Sequence, residues 1–162
     1  MLLTIALVLA TAFPSTSRTS WMTPQSFHLT IGMTREETVR ALETKGWPAK
    51  KGRTADEMVV DYSDDKALTL EFRKGRLRSV RFELFAMLPD VRAAFEEQKS
   101  LLRTIHGEPK KSRKSVVVYD DRLPNILVVL SDDPKSDYGK KGVGYLAVRY
   151  FDPVFGTMND ER

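Results

Sequence analysis

The sequence predicts an α+β fold in the order helix-βββ-helix-βββ. Three observations carry this prediction. Two segments, at 31–48 and 89–109, hold an apolar helical face bounded by start and stop residues. Each is followed by three strand-like stretches. The connections within each group are short, which implies antiparallel hairpins with the helices packed on one sheet face. The expected organisation is a single domain, 26–152, made of two similar helix-plus-three-strand units, 26–86 and 87–152, with a loose tail at 153–162.

The first helix is expected at about 35–45. Thr34 with Glu37 three residues on forms a capping box, in which each side chain satisfies an orphan amide of the other. Glu36 and Glu37 place negative charge at the positive end of the helix dipole. Thr38, Val39, Ala41 and Leu42 supply the apolar face, and Gly46 and Pro48 stop the helix. Before it, Phe27, Leu29 and Ile31 alternate with Ser26, His28 and Thr30, which predicts a short extended segment.

Three strands follow a polar, basic connection at 49–56. Their apolar faces are Met58, Val60 and Tyr62; Leu68, Leu70 and Phe72; and Val80, Phe82 and Leu84. A one-residue slip would turn every side chain over, so parity tests the turns. A two-residue loop at Lys74-Gly75 would set Leu70 against Ser79 and Leu68 against Arg81. A three-residue loop, Arg73-Lys74-Gly75, sets Leu68 near Val80 and Leu70 near Arg78, with Gly75 left-handed. The same argument favours three residues at 64–66, with Tyr62 aligned to Leu68 and Val60 to Leu70.

The second helix opens at Pro89, runs through Val91, Ala94, Phe95, Gln98, Leu101, Leu102 and Ile105, and stops at Gly107 and Pro109. Strands are expected at 115–120, 125–131 and 144–151. The first two are apolar on both faces, so one face of this sheet needs a cover that a single helix cannot provide. Val117, Tyr119, Leu127 and Val129 are assigned to that second face and named as the candidate protein-binding surface.

Residues 1–20 read as a targeting or flexible segment. Leu2 to Leu9 are apolar, Ala10-Thr11-Ala12 offers a cleavage site, and a mature start is expected between Thr11 and Trp21. The apolar run is shorter than the ~20 residues that span a bilayer. Cysteine is absent from the 162 residues, which removes disulfides, thiolate nucleophiles and Cys-type zinc sites. From the apolar run and the cleavage site, the expected location is extracytoplasmic, periplasmic or secreted.

Motifs for chemistry are lacking. There is no G-x-S-x-G elbow, P-loop or H-E-x-x-H, and the only histidines are His28 and His106. His106 falls in the last turn before Gly107, where it suits the helix C-terminus. Asp132, Asp133 and Asp137 lack the alternating ligands of a calcium loop. No catalytic residue, metal or cofactor is expected. The net charge of +4 permits an anionic partner. Basic residues cluster at Lys50, Lys51 and Arg53, at Lys74 and Arg76, and at Lys110, Lys111, Arg113 and Lys114. The last four form a candidate basic rim to the binding surface, able to steer encounter or to meet an anionic membrane. Nucleic acid is disfavoured because no aromatics interleave these cations.

Gly32-Met33-Thr34, Glu37, the stop Gly46-Trp47-Pro48 and the stretch Phe72-Arg73-Lys74-Gly75-Arg76-Leu77 together resemble the small SmpA/OmlA outer-membrane lipoproteins. That family shares an architecture with the β-lactamase inhibitor proteins. The resemblance covers about residues 29–85; the chain departs from it in having no lipobox cysteine, a longer first helix and a second helix-and-sheet unit. It implies an exported, non-enzymatic protein that works by contacting other proteins. Two functions are open: an envelope assembly or adaptor factor, and an extracytoplasmic inhibitor that covers a partner enzyme's active site.

Overall fold

The computed structural model describes residues 17–120, 124–136 and 139–154. The apolar run and A-x-A site, Asp137 and most of the expected tail lie outside the described residues. A 3-10 turn, Pro24–Phe27, leads to α1 (Arg35–Thr44), β1 (Lys50–Lys51), β2 (Glu57–Ser63), β3 (Lys66–Arg73) and β4 (Arg76–Met87). Then come α2 (Leu88–His106), β5 (Lys111–Arg113), β6 (Val116–Tyr119), β7 (Asn125–Ser131) and β8 (Val143–Phe151).

The strands form one antiparallel sheet of eight, in the order β1-β2-β3-β4-β8-β7-β6-β5. This overturns the expected pair of helix-plus-three-strand units. The two halves are fused by continuous pairing of β4 with β8, from Ser79↔Phe151 to Met87↔Val143. Left apart, two long apolar strands would each present an open row of N–H and C=O groups. Pairing them buries those rows at the centre and leaves the short β1 and β5 at the edges. Both edge strands are rich in lysine or arginine, whose charge opposes further strand addition.

The capping box of α1 is complete: Glu37 N donates to Thr34 Oγ1 at 3.2 Å and Thr34 N donates to Glu37 Oε2 at 2.7 Å. Pro89 lies in the first turn of α2 and Gly107 caps its end. Both hairpin turns differ from expectation. Arg73 pairs with Arg76 across a two-residue turn in which Lys74 and Gly75 both have positive φ, 50° and 71°. Parity is restored by a bulge at Arg78, which moves Val80 opposite Leu70 and Phe82 opposite Leu68. Likewise Ser63 pairs with Lys66 across Asp64-Asp65, and a bulge at Tyr62 brings Val60 opposite Leu68. An inserted residue in the strand corrects the face as well as a longer loop would.

The core lies on one side of the sheet, where α1 and α2 pack. Leu68, Leu70, Val80, Phe82, Leu146, Val148, Ile126 and Val128 are all buried there. Gly144 on β8 lets α2 approach closely, since a Cβ at that position would overlap Val91 Cγ1. Phe27 belongs to the 3-10 turn and not to the expected extended segment, but both it and Leu29 are buried. Its ring packs on Trp47 at 4.7 Å and Phe82 at 5.6 Å, and Trp21 stacks on Tyr62 at 5.4 Å.

Residues 17–22 are bound to the domain. The Glu97 carboxylate on α2 accepts from Ser17 Oγ, from Arg18 N at 3.3 Å, and from Thr19 N and Oγ1 at 3.4 and 3.2 Å. Thr19 and Met22 are fully buried, and Tyr150 Oη donates to the Met22 carbonyl at 3.1 Å.

Candidate functional site

The sheet face away from α1 and α2 is built from the alternate residues of every strand, so register decides its chemistry. One row reads Val59, Thr69, Arg81, Arg149, Leu127, Val118 and Lys111 across β2, β3, β4, β8, β7, β6 and β5. The neighbouring row reads Asp61, Ala67, Glu83, Ala147, Val129, Val116 and Arg113. The β2–β4 half is thus polar. The β7–β6 half is aliphatic and ends in the cations of β5.

At the centre lies a hydrogen-bonded network from β3, β4 and β8. Arg149 donates to Glu71 Oε2 at 2.7 Å and to Ser79 Oγ at 2.8 Å. Glu83 accepts from Thr69 Oγ1 at 2.9 Å and from Tyr145 Oη at 2.8 Å. Burial pushes the Tyr145 phenol well above its ordinary range, and the adjacent Glu83 carboxylate pushes it further. Tyr145 therefore stays protonated and acts as a fixed donor. Arg81 stands directly opposite Arg149, an arrangement of like charge that costs stability unless carboxylates offset it. Its nearest carboxylate oxygen, Glu83 Oε1, is 3.5 Å from Nε, and that Nε is buried without a hydrogen-bond partner among the described residues.

The sequence-chosen residues are divided between the two sides. Leu127 and Val129 lie on this open face, half-buried, beside Val118 and Val116. Val117 and Tyr119 lie on the helix side, only 0% and 2% exposed. They pair with Val128 and Ile126, and Tyr119 Oη donates to the Lys99 carbonyl at 3.4 Å. They are core residues. Lys111 and Arg113 flank the aliphatic residues of the open face, while Lys114 is exposed in the β5–β6 turn and Lys110 pairs with Asp120. The basic clusters do not converge. Lys50-Lys51 and Lys111–Arg113 occupy opposite sheet edges, roughly 34 Å apart at about 4.8 Å per strand.

Sequence reasoning did not single out Glu71, Arg81, Glu83, Tyr145 and Arg149. Their signal is the polar position that alternates with each core residue of β3, β4 and β8. His106 sits in the last turn of α2, its ring 6.0 Å from that of Tyr119. A groove of about 320 Å³ beside it, between α2 and β5–β6, is lined by charges of both signs, including Lys99, Arg103 and Glu108. Among the described residues no group of three His, Asp or Glu could hold a metal ion, and no helix is long and apolar enough to cross a membrane. Compared with known proteins, the chain matches no family model, no curated protein and no solved structure.

Proposed function

We propose that this chain is a non-enzymatic protein-binding module of the extracytoplasmic space that engages its partner through the open face of the sheet. The observation that carries this reading is the aliphatic strip of Val116, Val118, Leu127 and Val129, which neither helix covers. Apolar surface of this kind, beside fixed hydrogen-bonding groups, is the composition of an interface centre and its polar margin. The network of Glu83, Tyr145, Arg149 and Glu71 is already ordered, so a partner would meet side chains with little freedom left to lose. Export is supported by the apolar run at Leu2 to Leu9 and the Ala10-Thr11-Ala12 site.

The test is crosslinked capture from the extracytoplasmic fraction, comparing the tagged chain with a Leu127→Ser, Val129→Ser double variant. Capture should fall while the thermal midpoint stays within a few degrees. A folded variant that captures the same partner equally well would refute the assignment of this face. Recovery of the chain only from the cytoplasm would refute export.

A further inference from the structure

The open face is not uniform, and its asymmetry specifies what should lie on it. From β4 to β5, along the row Arg81, Arg149, Leu127, Val118 and Lys111, the aliphatic side chains lie between cations. Lys111 and Arg113 stand at the β5 edge, in register with Val118 and Val116. Arg81 stands at the other side, four strands away, roughly 19 Å at about 4.8 Å per strand.

The charge between β4 and β5 is only partly answered. Arg149 is committed to Glu71, and Glu83 is already engaged by Thr69 and Tyr145. Lys111, Arg113 and Lys114 make no ion pair among the described residues, and Arg81 has only the 3.5 Å approach to Glu83. Edge protection explains why β5 is basic. It does not explain why the aliphatic side chains of β6 and β7 remain on the helix-free side next to those cations.

Resting on the protein-binding reading above, we infer that the occupant of this part of the face is a partner segment carrying aliphatic side chains flanked by carboxylates. Its aliphatic centre would cover Val116, Val118, Leu127 and Val129. Its carboxylates would reach Lys111 and Arg113 on one side and Arg81 on the other. The complementary charge sets orientation and speeds encounter, while the aliphatic contact supplies the apolar burial.

The test uses the isotope-labelled full chain and three probes. The first is a capped peptide with a Leu-Val-Leu-Val centre and two Glu at each end. The second has Lys in place of Glu, and the third is vesicles containing phosphatidylglycerol. The acidic peptide should shift the methyl resonances of Val116, Val118, Leu127 and Val129. Its affinity should weaken as salt shortens the screening length from about 10 Å at 0.1 M to about 3 Å at 1 M. A Lys111→Glu, Arg113→Glu variant alters only exposed residues and should weaken binding at least about tenfold. Unchanged affinity in that variant would overturn the inference. Equal binding of the Lys peptide on the same residues would remove the acidic preference and leave the face assignment standing. Shifts elsewhere, or none with any peptide, would overturn both readings. Vesicle binding lost in the charge-reversal variant, without peptide binding, would make the surface membrane-facing and refute the inference.

Discussion

Gln98 offers the sharpest energetic prediction. It sits on the buried stripe of α2 with Val91, Ala94, Phe95 and Leu102, and its relative exposure is 0%. Neither its Oε1 nor its Nε2 has a hydrogen-bond partner among the described residues. A buried polar group left unpaired costs about 1–3 kcal/mol. Gln98→Met keeps the unbranched shape, removes the unpaired amide and adds apolar burial. The expected result is a gain of about 1–3 kcal/mol. For a chain of this size each kcal/mol raises Tm by roughly 2–4 °C, so the melt should move up by roughly 2–12 °C. Urea unfolding followed by circular dichroism should show a raised midpoint with unchanged slope. A lowered midpoint would refute the reasoning, because it would mean that the Gln98 amide is hydrogen-bonded in solution.

Three further outcomes are expected. Thr34→Ala removes the α1 cap and should cost about 1 kcal/mol, read as a lower urea midpoint; no change would show that Thr34 is not the cap. Gly144→Ala forces a methyl into Val91 and should cost about 1–3 kcal/mol by overpacking, so an unchanged midpoint would contradict the close approach of α2 to β8. At Glu97 burial opposes ionisation, but hydrogen bonds from Ser17, Arg18 and Thr19 outweigh it and hold the carboxyl below its ordinary 4.5. A depressed folded pKa means stability that is present above that value and lost as pH falls through the folded pKa. Wild type should therefore lose stability below pH 4.5 more steeply than Glu97→Gln, and parallel curves would show that residues 17–19 are not held by this carboxylate.

The local elements were legible because their signals are local. Thr34 with Glu37, and Pro89 with Gly107, set both helices within a residue or two. The apolar alternation of β3 and β4 likewise set their core faces. What failed was long-range. Nothing within 76–87 says that its second neighbour is 143–151, and pairing those strands merges two expected units into one sheet. The edge strands were missed because Lys50-Lys51 and Lys111–Arg113 have no apolar pattern; their charge suits an edge and hides the strand. Turn lengths were misread because a bulge at Arg78 or Tyr62 does the work assigned to an extra loop residue.

The face of β6 could not be read from Val116-Val117-Val118, three identical side chains in alternating positions. Only its pairing with β7 shows that Val117 belongs with Val128 and Val118 with Leu127. The central network had the same origin. Glu71 and Arg149, or Glu83 and Tyr145, are more than sixty residues apart in sequence and meet only through the β4–β8 seam.

Photo-crosslinking tests the open face most directly. A photoreactive phenylalanine analogue replaces Val118, on the open face, or Ile105, 60% exposed on α2, one at a time in the full chain. The account predicts a crosslink to one and the same protein partner from position 118, competed by the unmodified chain, and none from position 105. A partner captured from position 105 and not from 118 would contradict it.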